Sequence, residues 1–152
     1  MKKLFAVILT VALLMSLSVT AFAANTTGGV ADITTSIAPT YTVTIPADVN
    51  VSFNATETAF GTIEVTASQI HPDKCIKVAL ASDNKLENSI DATKVIPYAI
   101  KDAEGADFTY ATYLTEGDKT ELSIHITADD WNAAYAGEYS DTVTFTVSYE
   151  SK

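Results

Sequence analysis

The sequence predicts an all-β antiparallel sandwich, and three observations carry that expectation. Apolar residues recur with a two-residue period in many short runs, most cleanly where Val143, Phe145, Val147 and Tyr149 alternate with Thr142, Thr144, Thr146 and Ser148. Turn-forming Gly, Pro and Asp residues separate roughly eight such runs at spacings near ten residues. Only one segment, Ala128 to Ala136, departs from strand patterning. Alternating strands without helical connections pack as sheet on sheet.

In chain order, the first 23 residues read as an export leader. Lys2 and Lys3 precede an apolar run from Leu4 to Leu17, and Ala21-Phe22-Ala23 has the small-x-small form of a processing site. The run is shorter than the roughly 20 residues a membrane-spanning helix needs, so cleavage before Ala24 is expected. Residues 24–39 form a small, polar, Gly-containing arm that carries a weak strand pattern, Val30 to Ile37, ended by Pro39. The domain proper, 40–152, opens with Tyr41, Val43 and Ile45. Val49, Val51 and Phe53 share their parity, which predicts one strand kinked at Pro46.

Further strands are expected from Gly61 with Ile63, Val65 and Ala67, and from Cys75 to Ala81. The polar stretch Ser82 to Lys94 reads as a loop pinned by Leu86 or Ile90. Ile96, Tyr98 and Ile100 follow as a strand. A turn at Lys101 to Ala106 then leads hairpin-fashion into Phe108 to Leu114, where Tyr113 has the outward parity. Leu122, Ile124 and Ile126 make another strand, and a short helical turn near Asp130-Tyr135, capped by Asp129 or Asp130, precedes the last one. Gly137 to Tyr149 is expected as one long core strand. Asp141, on its buried parity, is expected at the rim, bonded to the Trp131 to Gly137 turn. Strands of this number and spacing suit a sandwich of immunoglobulin-like type, here without the Cys-Trp-Cys signature of antibody domains.

Charge excludes one class of partner. The formal charge is −10, there is no arginine, and loss of the two leader lysines takes it to −12. Nucleic acid, which requires clustered basic residues, is not an expected partner, nor is a membrane after leader cleavage. The single cysteine, Cys75, permits no internal disulfide in a chain expected to be secreted or extracytoplasmic.

Candidate chemistry is sparse. His71 lies four residues from Cys75 across a Pro turn and His125 has the outward parity of a strand. Neither spacing sets an attack geometry, and no G-x-S-x-G elbow is present, so no catalytic residue and no enzymatic activity are expected. Asp102, Glu104 and Asp107 surround Gly105 and are weak calcium candidates without the spacing of a twelve-residue calcium loop. Two histidines and one cysteine supply no zinc set, and no cofactor is expected. Tyr98, Tyr110, Tyr113, Trp131 and Tyr135 are candidates for a glycan-binding face, with core packing as their ordinary role.

Two stretches carry a resemblance. Ala136 to Tyr149, A-G-E-Y-S-D-T-V-T-F-T-V-S-Y, resembles the closing strand of spore coat U-type and related pilin-like domains of bacteria, and Tyr41 to Ala47, Y-T-V-T-I-P-A, looks like the opening strand of small secreted bacterial β-sandwich proteins. The resemblance implies an extracytoplasmic structural or adhesive module, secreted or at the cell surface, whose sheet a neighbour's strand can complete. Val30 to Ile37 would be that donor in self-association or in contact with another surface protein, although pairing within its own domain is the simpler expectation. The function expected is therefore a non-catalytic secreted or cell-surface structural or adhesive protein. An extracellular glycan- or calcium-binding module is the alternative.

Overall fold

The computed structural model describes residues 30–152 together with the backbone of Leu9–Ala12. The expected processing site and residues 24–29 lie outside the described residues. The chain is all-β, with eleven strands among the described residues: β1 (Leu9–Ala12), β2 (Thr40–Thr44), β3 (Glu57–Gln69), β4 (Lys74–Ala81), β5 (Lys85–Asn88), β6 (Val95–Pro97), β7 (Ala99–Asp102), β8 (Tyr110–Tyr113), β9 (Lys119–His125), β10 (Tyr139–Ser140) and β11 (Thr144–Ser151). One helix, α1 (Ala128–Ala133), interrupts them between β9 and β10. The strands form a five-stranded sheet in the order β1-β2-β3-β9-β7 and two three-stranded sheets, β11-β4-β8 and β10-β5-β6, all antiparallel.

The period-two pattern fixes which residues meet between these sheets. Val43, Ile63, Val65, Ile100, Leu122 and Ile124 of the five-stranded sheet share one apolar cluster with Ile76, Val78 and Tyr113 of the second sheet and Ile96 of the third. Ile63, Val65, Ile76 and Val78 are fully buried. Ring contacts tie the sheets at one side, where Tyr41 of β2 stacks on Tyr149 of β11 at 5.8 Å and Phe60 of β3 meets Phe145 of β11 at 5.9 Å. Burial and the neighbouring Tyr149 raise the Tyr41 phenol above its ordinary pKa. At this side of the sandwich β11 is a sheet edge, and β2 carries only the short β1 on its outer side.

Several expectations are corrected. Gly137 to Tyr149 is two strands, because Asp141–Val143 leave the ladder and the chain passes from the β10-β5-β6 sheet to the β11-β4-β8 sheet. As an edge strand β11 keeps its predicted parity, but Phe145, Val147 and Tyr149 are half-buried and not core. Nor does Pro46 kink a continuing strand. Residues 45–53 form no ladder, and Phe53 is exposed. The polar stretch from Ser82 contains strand β5. There Leu86 packs on the core while Ile90 is exposed. Ile96 and Ile100 belong to different sheets, since the chain crosses over at Tyr98, between Pro97, which ends β6, and Ala99, which opens β7. The Lys101 to Ala106 turn closes hairpin-fashion, with Lys101 bridged antiparallel to Asp107 and the Phe108 N–H donating to the Ile100 carbonyl at 2.8 Å, but the pairing stops there, because β8 pairs with β4.

Gly61 accounts for the irregularity inside the long strand β3. The register with β9 shifts between Ala59 and Gly61, and Gly61 takes φ 137°, a conformation side chains disfavour. A Cβ there would stand 3.1 Å from the Pro46 Cβ, so the bulge also admits the chain leaving β2.

A second local device is Asp118, in the turn before β9. Its Oδ2 accepts the Leu114 and Thr115 N–H groups at 2.7 and 2.9 Å, and its Oδ1 accepts the Thr115 hydroxyl at 3.0 Å. The turn is then fastened to β3 through Val65, whose carbonyl accepts the Gly117 N–H and whose N–H donates to the Asp118 carbonyl. The Leu114 N–H first, and the Thr115 N–H after it, hold the Asp118 carboxyl below its usual pKa. A carboxyl depressed in the folded state stabilises the fold above its unfolded pKa, and that contribution fades as pH falls through the folded value. Asp118→Ala is expected to cost about 1 to 2 kcal/mol at neutral pH. Below about pH 4, where an ordinary aspartate protonates, the difference between wild type and variant should narrow. Urea midpoints measured from pH 7 down to 3 check this, and a pH-independent difference would refute the role of the charge.

Candidate functional site

An aromatic cleft of about 1390 Å³ lies between the five-stranded sheet and the β10-β5-β6 sheet. Its floor includes Phe60, Ile96, Ile124 and Phe145, side chains at the edge of the core. Its walls are the two irregular stretches, Ile45 to Phe53 and Trp131 to Val143. Both walls follow from local sequence, since Pro46 prevents continuation of β2 and α1 stops short of Gly137.

The helix is positioned by its cap. Thr127 Oγ1 accepts the Asp130 N–H at 3.1 Å and donates to the Asp130 carboxylate at 2.5 Å, a reciprocal cap resembling a capping box. The N-cap is thus Thr127, one turn-start earlier than the expected Asp129 or Asp130. A hydroxyl can serve both the backbone and the acid side chain, which explains the shift. The cap aims Trp131 across the cleft wall, where its indole N–H donates to the Ala55 carbonyl at 2.8 Å and its ring meets Phe53 edge-on at 5.6 Å. Phe53 and Tyr135 stay 76% and 62% exposed, so two aromatic faces are open at the mouth. The Lys94 ammonium lies 4.8 Å from the Tyr135 ring centroid.

At the other end of the cleft Asp141 accepts the Tyr98 hydroxyl at 2.5 Å and the Ser82 hydroxyl at 3.1 Å. It does not bond the Trp131 to Gly137 turn, as the sequence reading expected. Its partners come instead from the β4-β5 and β6-β7 connections, which sequence spacing alone does not bring together. Burial first, and the bond to Asp141 second, push the Tyr98 phenol far above its ordinary range, so Tyr98 donates and does not ionise near neutrality.

The candidate residues separate in space. Of the five aromatics, Tyr98, Trp131 and Tyr135 line the cleft, while Tyr110 and Tyr113 sit on β8 in another sheet. The parity assigned to β8 is reversed. Tyr113 is buried and donates to the Thr120 hydroxyl at 2.9 Å, whereas Tyr110 is exposed beside Lys77. Phe53 and Phe60 were missed as cleft residues, Phe53 because it shares the parity of an expected strand and Phe60 because it precedes the strand expected from Gly61.

No family model, curated protein or solved structure matches this chain.

The other candidates have structural partners. Asp102 Oδ1 accepts the Glu104 and Ala106 N–H groups at 3.1 and 2.9 Å, closing its own turn, and Asp107 pairs with the Lys101 ammonium at 2.9 Å. Among the described residues no three His, Cys, Asp or Glu side chains converge as a metal set. Cys75 is buried in β4. His71 is in an exposed turn, its backbone N–H donating to the Tyr149 hydroxyl at 2.9 Å. His125 shares a contact with Ser123 and lies 3.9 Å from Glu57. Among the described residues no helix is long and apolar enough to cross a membrane.

The arm differs most from expectation. Residues 30–39 join no sheet of the domain, so the simpler pairing of Val30 to Ile37 within its own domain does not form. Val30, Ile33 and Ile37 are 96%, 98% and 62% exposed, immediately ahead of β2.

Proposed function

We propose that this chain is a non-catalytic, exported structural or adhesive protein, secreted or held at the cell surface, of immunoglobulin-like type, that assembles through its N-terminal segment. The observation that carries the reading is the exposed arm. Three large apolar side chains, Val30, Ile33 and Ile37, stand in solvent on a segment that runs without a break into β2, a strand that becomes a sheet edge once the leader strand β1 is removed. Exposed apolar surface of this kind marks an interaction site, and an edge strand offers unpaired backbone groups to complete it. The likeness of Ala136 to Tyr149 to the closing strand of pilin-like domains supports the same reading.

Sedimentation tests it. Processed protein beginning at Ala24 is expected to self-associate or to bind a surface partner, and a chain beginning at Thr40 is expected to remain monomeric, with the unfolding midpoint that the longer chain shows when dilute and monomeric. A processed protein that stays monomeric at high concentration and is recovered wholly free of the cell surface overturns the proposal.

The aromatic cleft favours one second reading, a glycan-binding module. Phe53 and Tyr135 present open ring faces beside polar groups, the combination that sugar stacking uses. A thermal shift with oligosaccharides, lost in Phe53→Ala, supports it. The same assay with calcium addresses the Asp102 to Asp107 turn, and absence of a shift with either class removes the reading.

A further inference from the structure

The outer edge of β2 is an acceptor in this structure. The leader segment Leu9–Ala12 pairs with it antiparallel, Leu9 opposite Val43, Thr10 opposite Thr42, Val11 opposite Tyr41 and Ala12 opposite Thr40. Export processing before Ala24 would remove that strand and leave the edge bare.

The arm of the same chain cannot easily replace it. Thr40 already pairs with Gln69 in β3, and Pro39 precedes it directly. The residue before a proline is driven extended, so arm and β2 run on as one line. Folding the arm back in register would need a three-residue turn at Ile37-Ala38-Pro39, whose last position takes a left-handed conformation that proline cannot adopt. A second copy has no such difficulty.

We infer that, after leader removal, two copies of this chain pair through arm and β2 as a continuous antiparallel ribbon about a two-fold axis at Ala38, each arm taking the β2 edge that the leader had covered. The inference rests on the assembly proposed above and names its partner and geometry. Parity selects the register. In the arm, Ala31, Ile33, Thr35 and Ile37 share one face; in β2, Tyr41 and Val43 share the core-side face. Antiparallel pairing keeps these faces together only when odd positions oppose odd positions. Centring on Ala38 sets Ile33 opposite Val43, the most buried residue of β2, where Leu9 stands in the leader-paired form.

The same register sets Thr35 opposite Tyr41, Thr34 opposite Thr42 and Ser36 opposite Thr40, so the wet face pairs hydroxyl with hydroxyl. It also brings two small Ala38 side chains together on the axis, where the registers one step either way would oppose two Ile37 or two Pro39 residues. The interface is isologous and closes at two copies, with the two domains on opposite flanks of the ribbon.

Cysteine pairing tests the geometry, with the exported, processed protein carrying Cys75→Ala to remove the native thiol. Ala38→Cys is expected to form a disulfide dimer at least ten times faster than Ser36→Cys. Across the axis the two Ala38 positions face each other at about 4.5 to 5.5 Å. The two Ser36 positions fall about 13 Å apart along the strands, beyond disulfide reach. Thr34→Pro, in an exposed segment, is expected to abolish the dimer, and in dilute solution, where the wild type is monomeric too, to leave the unfolding midpoint of the domain unchanged. Assembly that survives Thr34→Pro, or that links Ser36→Cys as fast as Ala38→Cys, overturns the two-fold ribbon while leaving self-assembly standing through another surface, such as the β11 edge. A monomer in every variant, or a chain that retains its leader, overturns both the ribbon and the self-assembly it rests on.

Discussion

Ile63→Ala is expected to destabilise the domain by about 3 to 4 kcal/mol, near the middle of the range for truncating a buried isoleucine. Ile63 is fully buried on β3, which is flanked on one side by β2 and on the other by β9, where Thr120 is its partner. A strand held on both sides cannot shift inward to fill the space left by the missing methyl and methylene groups, so the cavity term should persist. Measured against a typical domain stability of about 5 to 15 kcal/mol, this is a large fraction. Urea unfolding should show a lowered midpoint with an unchanged slope, the sign of lost stability without a changed unfolded state. Ile33→Ala supplies the contrast. The residue type and strand parity are the same, but Ile33 is 98% exposed in the single chain, so its truncation, measured on dilute monomeric protein, should leave the midpoint within about 0.5 kcal/mol of wild type. If the two substitutions cost the same, the assignment of Ile63 to the core and of Ile33 to a free arm is wrong.

The comparison of these two isoleucines also shows what the sequence made legible. Period-two alternation placed Ile63, Val65, Ile76, Val78, Leu122, Ile124 and Ile126 correctly in the core, because a one-residue slip would turn a whole strand face to water. It did not distinguish strands with two neighbours from strands with one. Ile33 and Phe145 have the right parity but lie respectively outside any ladder and on an edge. Alternation also fails where the chain changes sheets within a run. Tyr98 and Asp141–Val143 are such crossings, and Asp141 is satisfied there by Tyr98 and Ser82, 43 and 59 residues away in sequence. Tyr113 was misplaced for a related reason. After the isolated bridge between Lys101 and Asp107 the chain leaves for another sheet, and parity counted from Phe108 no longer applies. One wall of the candidate cleft, Trp131 to Val143, is made at such crossings and the other, Ile45 to Phe53, is an irregular connection between β2 and β3, so its walls were illegible even though Trp131 and Tyr135 were singled out.

Gly137→Ala is the second substitution with a large expected effect, because two independent costs fall on one atom. Gly137 has φ 149°, where an L side chain is strained, and a Cβ built on it would overlap the Asn88 side-chain amide. Asn88 cannot retreat freely. It is the one buried polar side chain among the described residues, and its Oδ1 accepts the Ile90 and Asp91 N–H groups at 2.9 and 3.3 Å. Its backbone also pairs with Tyr139, the residue that opens β10. Backbone strain of about 1 to 3 kcal/mol and disturbed buried hydrogen bonds of about 1 to 3 kcal/mol together give an expected loss of about 2 to 6 kcal/mol. The two parts can be separated. In an Asn88→Ala background the overlap disappears while the φ strain remains, so Gly137→Ala should cost less there than in wild type, and the difference reads the clash alone. Equal costs in the two backgrounds would show that the Gly137 backbone, and not its approach to Asn88, is what this turn requires. The site matters beyond stability, since the Gly137 turn delivers the chain to β10, then to Asp141 at the end of the cleft, and then to β11. Loosening it should therefore unpin the cleft wall from Trp131 to Val143, raising amide exchange there before the β3-β9 core opens.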